Sequence, residues 1–479
     1  MSQIYDIVLK DDSAQEVKEF LVVRREVFDR LGNDPPQMLR LGQPRKISGI
    51  KNKTDDKILT YDPKFSANNG NKIESLKVVT SHYVGTYEVE TSKWGLARVD
   101  IKPRFGNSIF NYLLSHVSGV FIPPKATSSI SMSSNSYGHW LLLLLWKAAF
   151  DRALTVNHIP RCYVARERNM KTVRGRVLSE HNIRENWIDQ SRIYCKYREL
   201  AFDNIINKTI RYSYRLLRKH GNSSFLQDVS VYDTKLASLG VSDGIVDSEQ
   251  IRNITYTPMN SSYRLLMEVS QKVIANFGAT AVGNRPRFKG MSFFLDVAEL
   301  WENYIYRLLK RHFSDKFLVV SPNFEGERHY LLKGQWREIR PDILMIRNGK
   351  IEAVLDAKYK SGYCQLGATE IQGVSVSRED LYQMTTYLWN LRQPDQGQAS
   401  IMGLFVSPKE VDDQSSSTTP ELRAFVSNED VSIGLINLCL PKEHSEDQDK
   451  EGEKEILAKA KQFEKQFCEN VQKLLCPAT

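Results

Sequence analysis

With 479 residues, 41% of them hydrophobic and 26% charged, the chain can enclose two or three cores, and its composition excludes a disordered or fibrous polypeptide. A net charge of +9 is compatible with a polyanionic partner but does not establish one. Six cysteines without C-x-x-C spacing argue against a zinc site or disulfide framework, and the longest apolar run, Trp140 to Trp146, is far short of the roughly 20 residues a membrane span needs; with no leader-like segment in Met1 to Lys10, a cytoplasmic protein without a membrane partner is expected.

Residues 1–75 mix charge with Pro35, Pro36 and Pro44 and end in a polar stretch from Lys51 to Asn71, which reads as a small element followed by a long loop. From Leu76 the pattern turns to strands, over Lys77–Thr80, Tyr83–Glu90 and Leu96–Ile101, and Asn107 caps a helix through His116. The Ser-rich stretch Thr127–Tyr137 reads as a surface linker, followed by a buried helix around Trp140.

From Arg161 to His220 there are fifteen Lys or Arg against six Asp or Glu, an excess of nine that equals the excess of the whole chain. A charge run is commonly just a solvated face; the functional alternative is a surface for phosphates or for an acidic partner pore. Arg174 and Arg176, flanking Gly175, are the candidates for that contact, or else a tight turn with structural ion pairs. A helix is expected from Ala201 to His220, irregular chain with one short helix over 221–260, and a further helix over Tyr263–Phe277 closed by Gly278. Gly278 to Arg285 has the glycine spacing of a phosphate loop but lacks its Lys and Ser/Thr, so the chain is expected to bind no nucleotide by itself.

Val297, Leu300, Trp301, Tyr304, Ile305, Leu308 and Leu309 step as an amphipathic helix over Val297–His312, with Glu302 beside the apolar stripe. Strands follow over Phe317–Val320, His329–Lys333, Ile339–Ile346 and Ile351–Ala357. Asn348-Gly349 between the last two is the strongest short-range hairpin signal a sequence offers. Asp356 and Lys358 leave their strand by one face. A strict two-residue loop pairs Arg347 with Lys350 and sends Asp342 to the opposite face. A three-residue loop with Gly349 in a G1 bulge reverses that parity, and this bulged turn is expected, or an equivalent bulge near Pro341, which donates no ladder hydrogen bond.

Two carboxylates repel, and a divalent cation offsets the cost. Mg²⁺, with Mn²⁺ as a substitute, takes one or two carboxylates and keeps several waters. Lys358 would then position a water or hold negative charge. A lone D-x-K is more often a solvated ion pair, so the rest of the pattern matters. Ser377 to Asp380 resembles a capping box, opening a helix on which Gln383 and Tyr387 share a face. Ile401–Val406 is a buried strand, completing an α-β-β-β-α-β order. Val431–Leu440 adds a strand, Glu443–Glu455 is an acidic linker, and Ile456–Leu475 is a terminal helix.

Pro341-Asp342 followed by Asp356-Ala-Lys358 resembles the PD-(D/E)XK nuclease signature, and Gln383 with Tyr387 resembles the Q-x-x-x-Y of RecB-type nucleases. Together with Leu300-Trp-Glu302-Asn-Tyr304 and Asp356 to Lys360, the pattern is similar to the McrC family, the nuclease subunits of McrBC modification-dependent restriction systems. Arg98 to Phe105, Phe110 to Leu114, and the set Glu167, Arg174-Gly-Arg176, Cys195, Glu199, Asp203, Asn204 and Asn207 extend the resemblance, which spans residues 83 to 410.

The resemblance implies an α/β chain, α+β overall: an N-terminal β-rich module over 1–125, a central basic helical partner-binding region over 126–285, a PD-(D/E)XK domain with a mixed sheet over 286–440, and an acidic linker and helix over 441–479. It implies a Mg²⁺-dependent endonuclease for double-stranded, methylated DNA that stimulates a McrB-like hexameric AAA+ GTPase, with one copy per hexamer. Asp342, Asp356 and the Ala357 carbonyl would hold the metal, and Lys358 would orient the attacking water. Glu302 and Gln383 would support the site, and Tyr387 would touch phosphate or pack. The alternatives are an assembly and activator subunit without its own chemistry, and a nuclease that works without a motor.

Overall fold

A computed structural model of the chain describes residues 5–17, 21–33, 37–39, 57–66, 69–91, 95–118, 137–156, 158–220, 225–277, 292–325, 329–332, 336–360, 376–392, 400–411, 423–428, 431–442 and 450–475. Two units divide the chain, one of Met1–Ser131, Ser136–Gly138 and Gly290–Thr479, the other of Met132–Asn135 and His139–Lys289. The expected linker at 127–136, the glycine-spaced loop at 278–285 and the acidic stretch at 443–449 lie outside the described residues.

In the first unit the amino-terminal residues are more structured than expected. They supply the strands Tyr5–Lys10, Ala14–Val17, Gln37–Leu39 and Leu59–Ser66 and the helix Leu21–Asn33. The reason is long-range pairing: Tyr5–Lys10 runs parallel to Gly95–Lys102, and a local pattern cannot announce a partner that far along the chain. The strand expected at Lys77 reaches back over Asn69–Thr80, through residues read as loop, because Leu59–Ser66 and Ala14–Val17 flank it. A five-stranded sheet takes the order Tyr5–Lys10, Gly95–Lys102, Tyr83–Thr91, Ser292–Asp296, Gln37–Leu39. Ile7, Leu9, Phe28, Val99, Ile101 and Phe294 form its core. Ser292–Asp296 approaches so closely that a Cβ on Gly85 would lie 2.1 Å from the Phe293 carbonyl oxygen, so only glycine fits there.

Asp296 ends that strand and caps the helix Val297–Phe313, its side chain accepting from the Glu299 N–H at 3.0 Å. The predicted apolar stripe is buried along the whole helix. A six-stranded sheet follows, in the order Leu318–Val320, Ile343–Arg347, Lys350–Ala357, Ile401–Val411, Val431–Pro441, Arg423–Asn428. The helix Arg378–Leu391 packs Met384 and Leu388 onto it, with Leu344, Val354 and Phe405 in the same core. Gly403 leaves room for that helix, since a Cβ there would lie 2.7 Å from Met384 Sδ.

Two expectations are corrected here, and one strand is added. The single strand Ile339–Ile346 is broken by Pro341 into Trp336–Ile339, which pairs with His329–Leu332, and Ile343–Arg347. The edge strand Arg423–Asn428 had no sequence signal. The terminal helix begins at Lys450, inside the stretch read as linker, and its buried Glu464 accepts from Tyr112 Oη at 2.7 Å and from Tyr304 Oη.

The second unit holds the Trp140 run in the buried helix Tyr137–Val156, where Trp146 donates to Ser270 Oγ at 2.9 Å. It is not purely helical as expected: Cys162–Met170, Ile193–Ala201 and Arg176–Val177 form a three-stranded antiparallel sheet. The helix expected from Ala201 starts at Ile205, because Ala201 ends the middle strand, and it packs on Arg264–Phe277. Residues 221–260 contain two helices, Gln227–Ser238 and Ser248–Arg252, rather than one. Among the described residues no helix is long and apolar enough to cross a membrane.

Candidate active site

Asn348 and Gly349 both take positive φ, 52° and 78°, and Arg347 pairs with Lys350. The turn is therefore the two-residue type with both central residues left-handed, which Asn tolerates and Gly favours. The expected three-residue loop with a G1 bulge is not formed, nor is a bulge at Pro341. The extra residue is instead Glu352, left unpaired between Ile346↔Ile351 and Met345↔Ala353. Its carboxylate accepts from Arg347 Nε at 2.6 Å. The bulge performs the parity change by another route: continuing the register past Ile343↔Leu355 sets Asp342 opposite Asp356.

Asp342 is joined to the Asp356 strand through the backbone and to Glu302 through Asn323. The Ala357 N–H donates to Asp342 Oδ2 at 2.9 Å. Asn323 Nδ2 donates to Asp342 Oδ1 at 3.2 Å and to Glu302 Oε1, so one amide ties the helix acid to the hairpin acid. Burial first, then the Glu302 and Asp356 carboxylates, push the Asp342 carboxyl well above the usual carboxylate range.

Asp356 is 4% exposed, and its Oδ2 lies 2.7 Å from Lys358 Nζ. Asp356 is therefore a buried carboxylate whose charge the Lys358 ammonium balances. Lys358 Nζ also lies 3.1 Å from Asp380 Oδ1 and donates to Gln383 Oε1 at 3.2 Å. Burial works against the ammonium, but Asp356, then Asp380 and Asp342, outweigh it and hold the Lys358 amine above the usual lysine range. Gln383 Nε2 donates to Tyr387 Oη at 2.7 Å, and that hydroxyl donates to the Arg340 carbonyl at 3.0 Å. Tyr387 thus anchors the chain that enters Pro341-Asp342, and burial pushes its hydroxyl up to about 12.

All six candidate side chains, Glu302, Asp342, Asp356, Lys358, Gln383 and Tyr387, are connected by these contacts. Two members were missed. Asp380 was read only as part of a capping box; Ser377 does cap the helix by accepting from the Asp380 N–H at 3.1 Å, but the Asp380 carboxylate turns to Lys358 and Lys360. Burial opposes its charge, yet Ser377 and the two lysines hold the carboxyl at about 2. Its place one turn before Gln383 was the available signal. Asn323, in the short helix Pro322–Glu325, had none.

Among the described residues no group of three or more His, Cys, Asp or Glu forms a ready-made metal cage. The donor set nevertheless suits a hard divalent cation, which needs only one or two carboxylates besides water: Asp342 and the buried Asp356 stand opposite each other and their charges repel. Beside the site lies a groove of about 490 Å³ lined by Glu338, Arg340, Tyr382, Gln383, Thr386 and Tyr387. In the second unit, Arg174 and Arg176 are exposed. Gly175 between them is left-handed (φ 71°) against the Lys196 carbonyl, and the Arg174 guanidinium lies 4.4 Å above the Tyr197 ring.

Comparison with known proteins gives a family and a fold. No curated protein matches the chain. A solved structure, the refined half-complex from a tetradecameric assembly of Thermococcus gammatolerans McrB AAA+ hexamers with bound McrC, is similar at a TM-score of 0.51 and 16% identity, covering 95% of this chain and 99% of that one. A cryo-EM structure of the Thermococcus gammatolerans McrBC complex is similar at a TM-score of 0.35 and 15% identity, over 64% of this chain and 88% of that one. The model of the McrBC 5-methylcytosine restriction system component matches residues 78–401, more than half of the sequence, and the chain belongs to that family.

Proposed function

We propose that the chain is the Mg²⁺-dependent DNA endonuclease subunit of its restriction system, with a PD-(D/E)XK site, and that it binds and stimulates a McrB-like hexameric AAA+ GTPase. The observation that carries this reading is the meeting of Asp342, Asp356 and Lys358 at one end of a hairpin, with Glu302 joined to them through Asn323.

Asp342 and Asp356, with the Ala357 carbonyl, would hold Mg²⁺. Bound there, the ion supplies polarisation of a phosphodiester and a lower pKa for a bound water. The chain's own groups do the rest. Lys358, fixed as an ammonium, carries no free base for a proton, so it orients the attacking water and compensates charge growing on the phosphate. Asp380 and Gln383 aim it. Tyr387, with its hydroxyl committed to Arg340, acts by packing. Double-stranded DNA, methylated as the family description suggests, is the substrate. Asp356→Ala should abolish Mg²⁺-dependent cleavage while the circular dichroism spectrum and melting temperature stay near wild type; persistent cutting would refute the assignment.

A second reading, an activator that works through its partner, is favoured by the other unit. That unit carries Trp187, 77% exposed, and Ile188, 96% exposed, as well as the exposed Arg174 and Arg176. Exposed apolar and basic residues suit a protein partner. GTP hydrolysis by the partner, measured with an Asp342→Ala chain, separates the readings: stimulation without cutting means activation and chemistry are independent.

A further inference from the structure

The residue that follows Lys358 is held from the far end of the unit's sequence. Tyr359 is 5% exposed, and its hydroxyl donates to Asp11 Oδ2 at 2.8 Å. Asp11 Oδ1 accepts from the Arg104 backbone N–H at 2.6 Å. The Arg104 guanidinium, ion-paired with Asp12, lies 4.3 Å above the Tyr359 ring and 4.7 Å above Phe105. Trp301, the neighbour of Glu302, meets the same tyrosine ring at 6.4 Å. Its indole N–H and the Lys358 amide both donate to the Val406 carbonyl, at 3.4 and 2.8 Å.

Ordinary packing would fill this space more cheaply. Asp11 is fully buried, and burial, opposed by Arg104 and Tyr359, pushes its carboxyl up to about 6. Asp12 adopts a left-handed backbone, φ 42°, which a non-glycine residue keeps only where its surroundings over-determine it. A buried acid and a strained turn give up stability, and what they provide in return is direction. Both belong to the stretch between Tyr5–Lys10 and Ala14–Val17 that closes on the end of Gly95–Lys102, through Asp11 N–H to the Lys102 carbonyl at 2.9 Å.

We propose that Asp11, Arg104 and Tyr359 form a latch by which the amino-terminal sheet sets the position of Lys358, with Tyr359 as a positioning residue. The inference rests on the endonuclease reading above. Tyr359 follows Lys358 directly in the chain, so anchoring the tyrosine on Asp11 restricts the backbone that carries the ammonium paired with Asp356. The latch also gives Arg104 and Phe105, in the Arg98 to Phe105 stretch, a physical task that the catalytic residues leave unassigned.

The test uses the full chain with its AAA+ partner, GTP, Mg²⁺ and double-stranded DNA. Tyr359→Phe removes one oxygen and keeps the ring; Asp11→Leu removes the acceptor. Each should lower kcat roughly 10- to 100-fold with KM unchanged, since a misplaced catalytic group costs rate rather than binding. The double variant should be no worse than either single one, and Asp11→Asn, which keeps polar partners for both neighbours, should recover most of the rate. Hydrogen exchange at amides 356–360 should quicken in Tyr359→Phe without a matching fall in melting temperature. If the parent cuts and Tyr359→Phe cuts equally well, the latch is overturned and the nuclease stands. If the parent never cuts, the nuclease reading fails, and exchange alone decides: unchanged protection at 356–360 overturns the latch, and increased exchange supports it. Should Asp11→Leu not fold, Tyr359→Phe carries the same decision.

Discussion

Lys358 is surrounded by three acceptors, and its ammonium is the hinge of the site's electrostatics. Asp380 contributes a charge that the signature residues do not include. Asp380→Asn removes that charge at little change in volume, and kcat for DNA cleavage should fall about tenfold, the usual effect of losing a supporting partner, while KM holds. An unchanged kcat would mean that Asp356 and Gln383 suffice. Asp11 gives the clearest pH signature. Its carboxyl is raised from 3.8 to about 6 by burial, so the native state binds the extra proton between those values. Stability from this group is complete below pH 4 and is lost as pH rises through 6, a range worth about 3 kcal/mol at most. Asp11→Asn should therefore match wild type near pH 4 and gain on it up to pH 7, read as the difference in melting temperature between the two proteins. A difference that stays constant with pH would contradict the burial argument.

At the scale of elements, the hairpin separates what local chemistry can and cannot say. Asn348-Gly349 specified a turn, and the turn formed as a two-residue loop because both residues accept positive φ. The bulge at Glu352 was invisible, since β-bulges arise from the fit of two strands and from side-chain partners such as Arg347. The helix Val297–Phe313 was readable for the opposite reason: its period of 3.6 is a property of one segment, and the same positions are the ones buried. Close approaches are likewise tertiary. Gly85→Ala places a methyl group 2.1 Å from the Phe293 oxygen, and should destabilise the protein by about 2 kcal/mol or more in chemical unfolding. A neutral result would mean that Ser292–Asp296 can shift along Tyr83–Thr91.

Over the whole molecule, the candidate active site lies entirely within one unit, and the exposed Arg174, Arg176, Trp187 and Ile188 lie in the other. Arg174→Glu combined with Trp187→Ala should thus abolish stimulation of the partner's GTPase while leaving Mg²⁺ binding by the chain, measured by calorimetry, unaltered; loss of both would place the two functions on one surface. By itself the sequence determined the long helices with a clear period, the acids and lysine of the candidate site, and the family, because periodicity and spacing are carried within short windows. Only the tertiary structure decided that residues near the amino terminus form strands, that Asn323 and Asp380 join the site, and that Asp11 reaches Tyr359. Those outcomes depend on pairings between distant segments, whose free energy comes from burial and hydrogen bonds that exist only once both partners are in place.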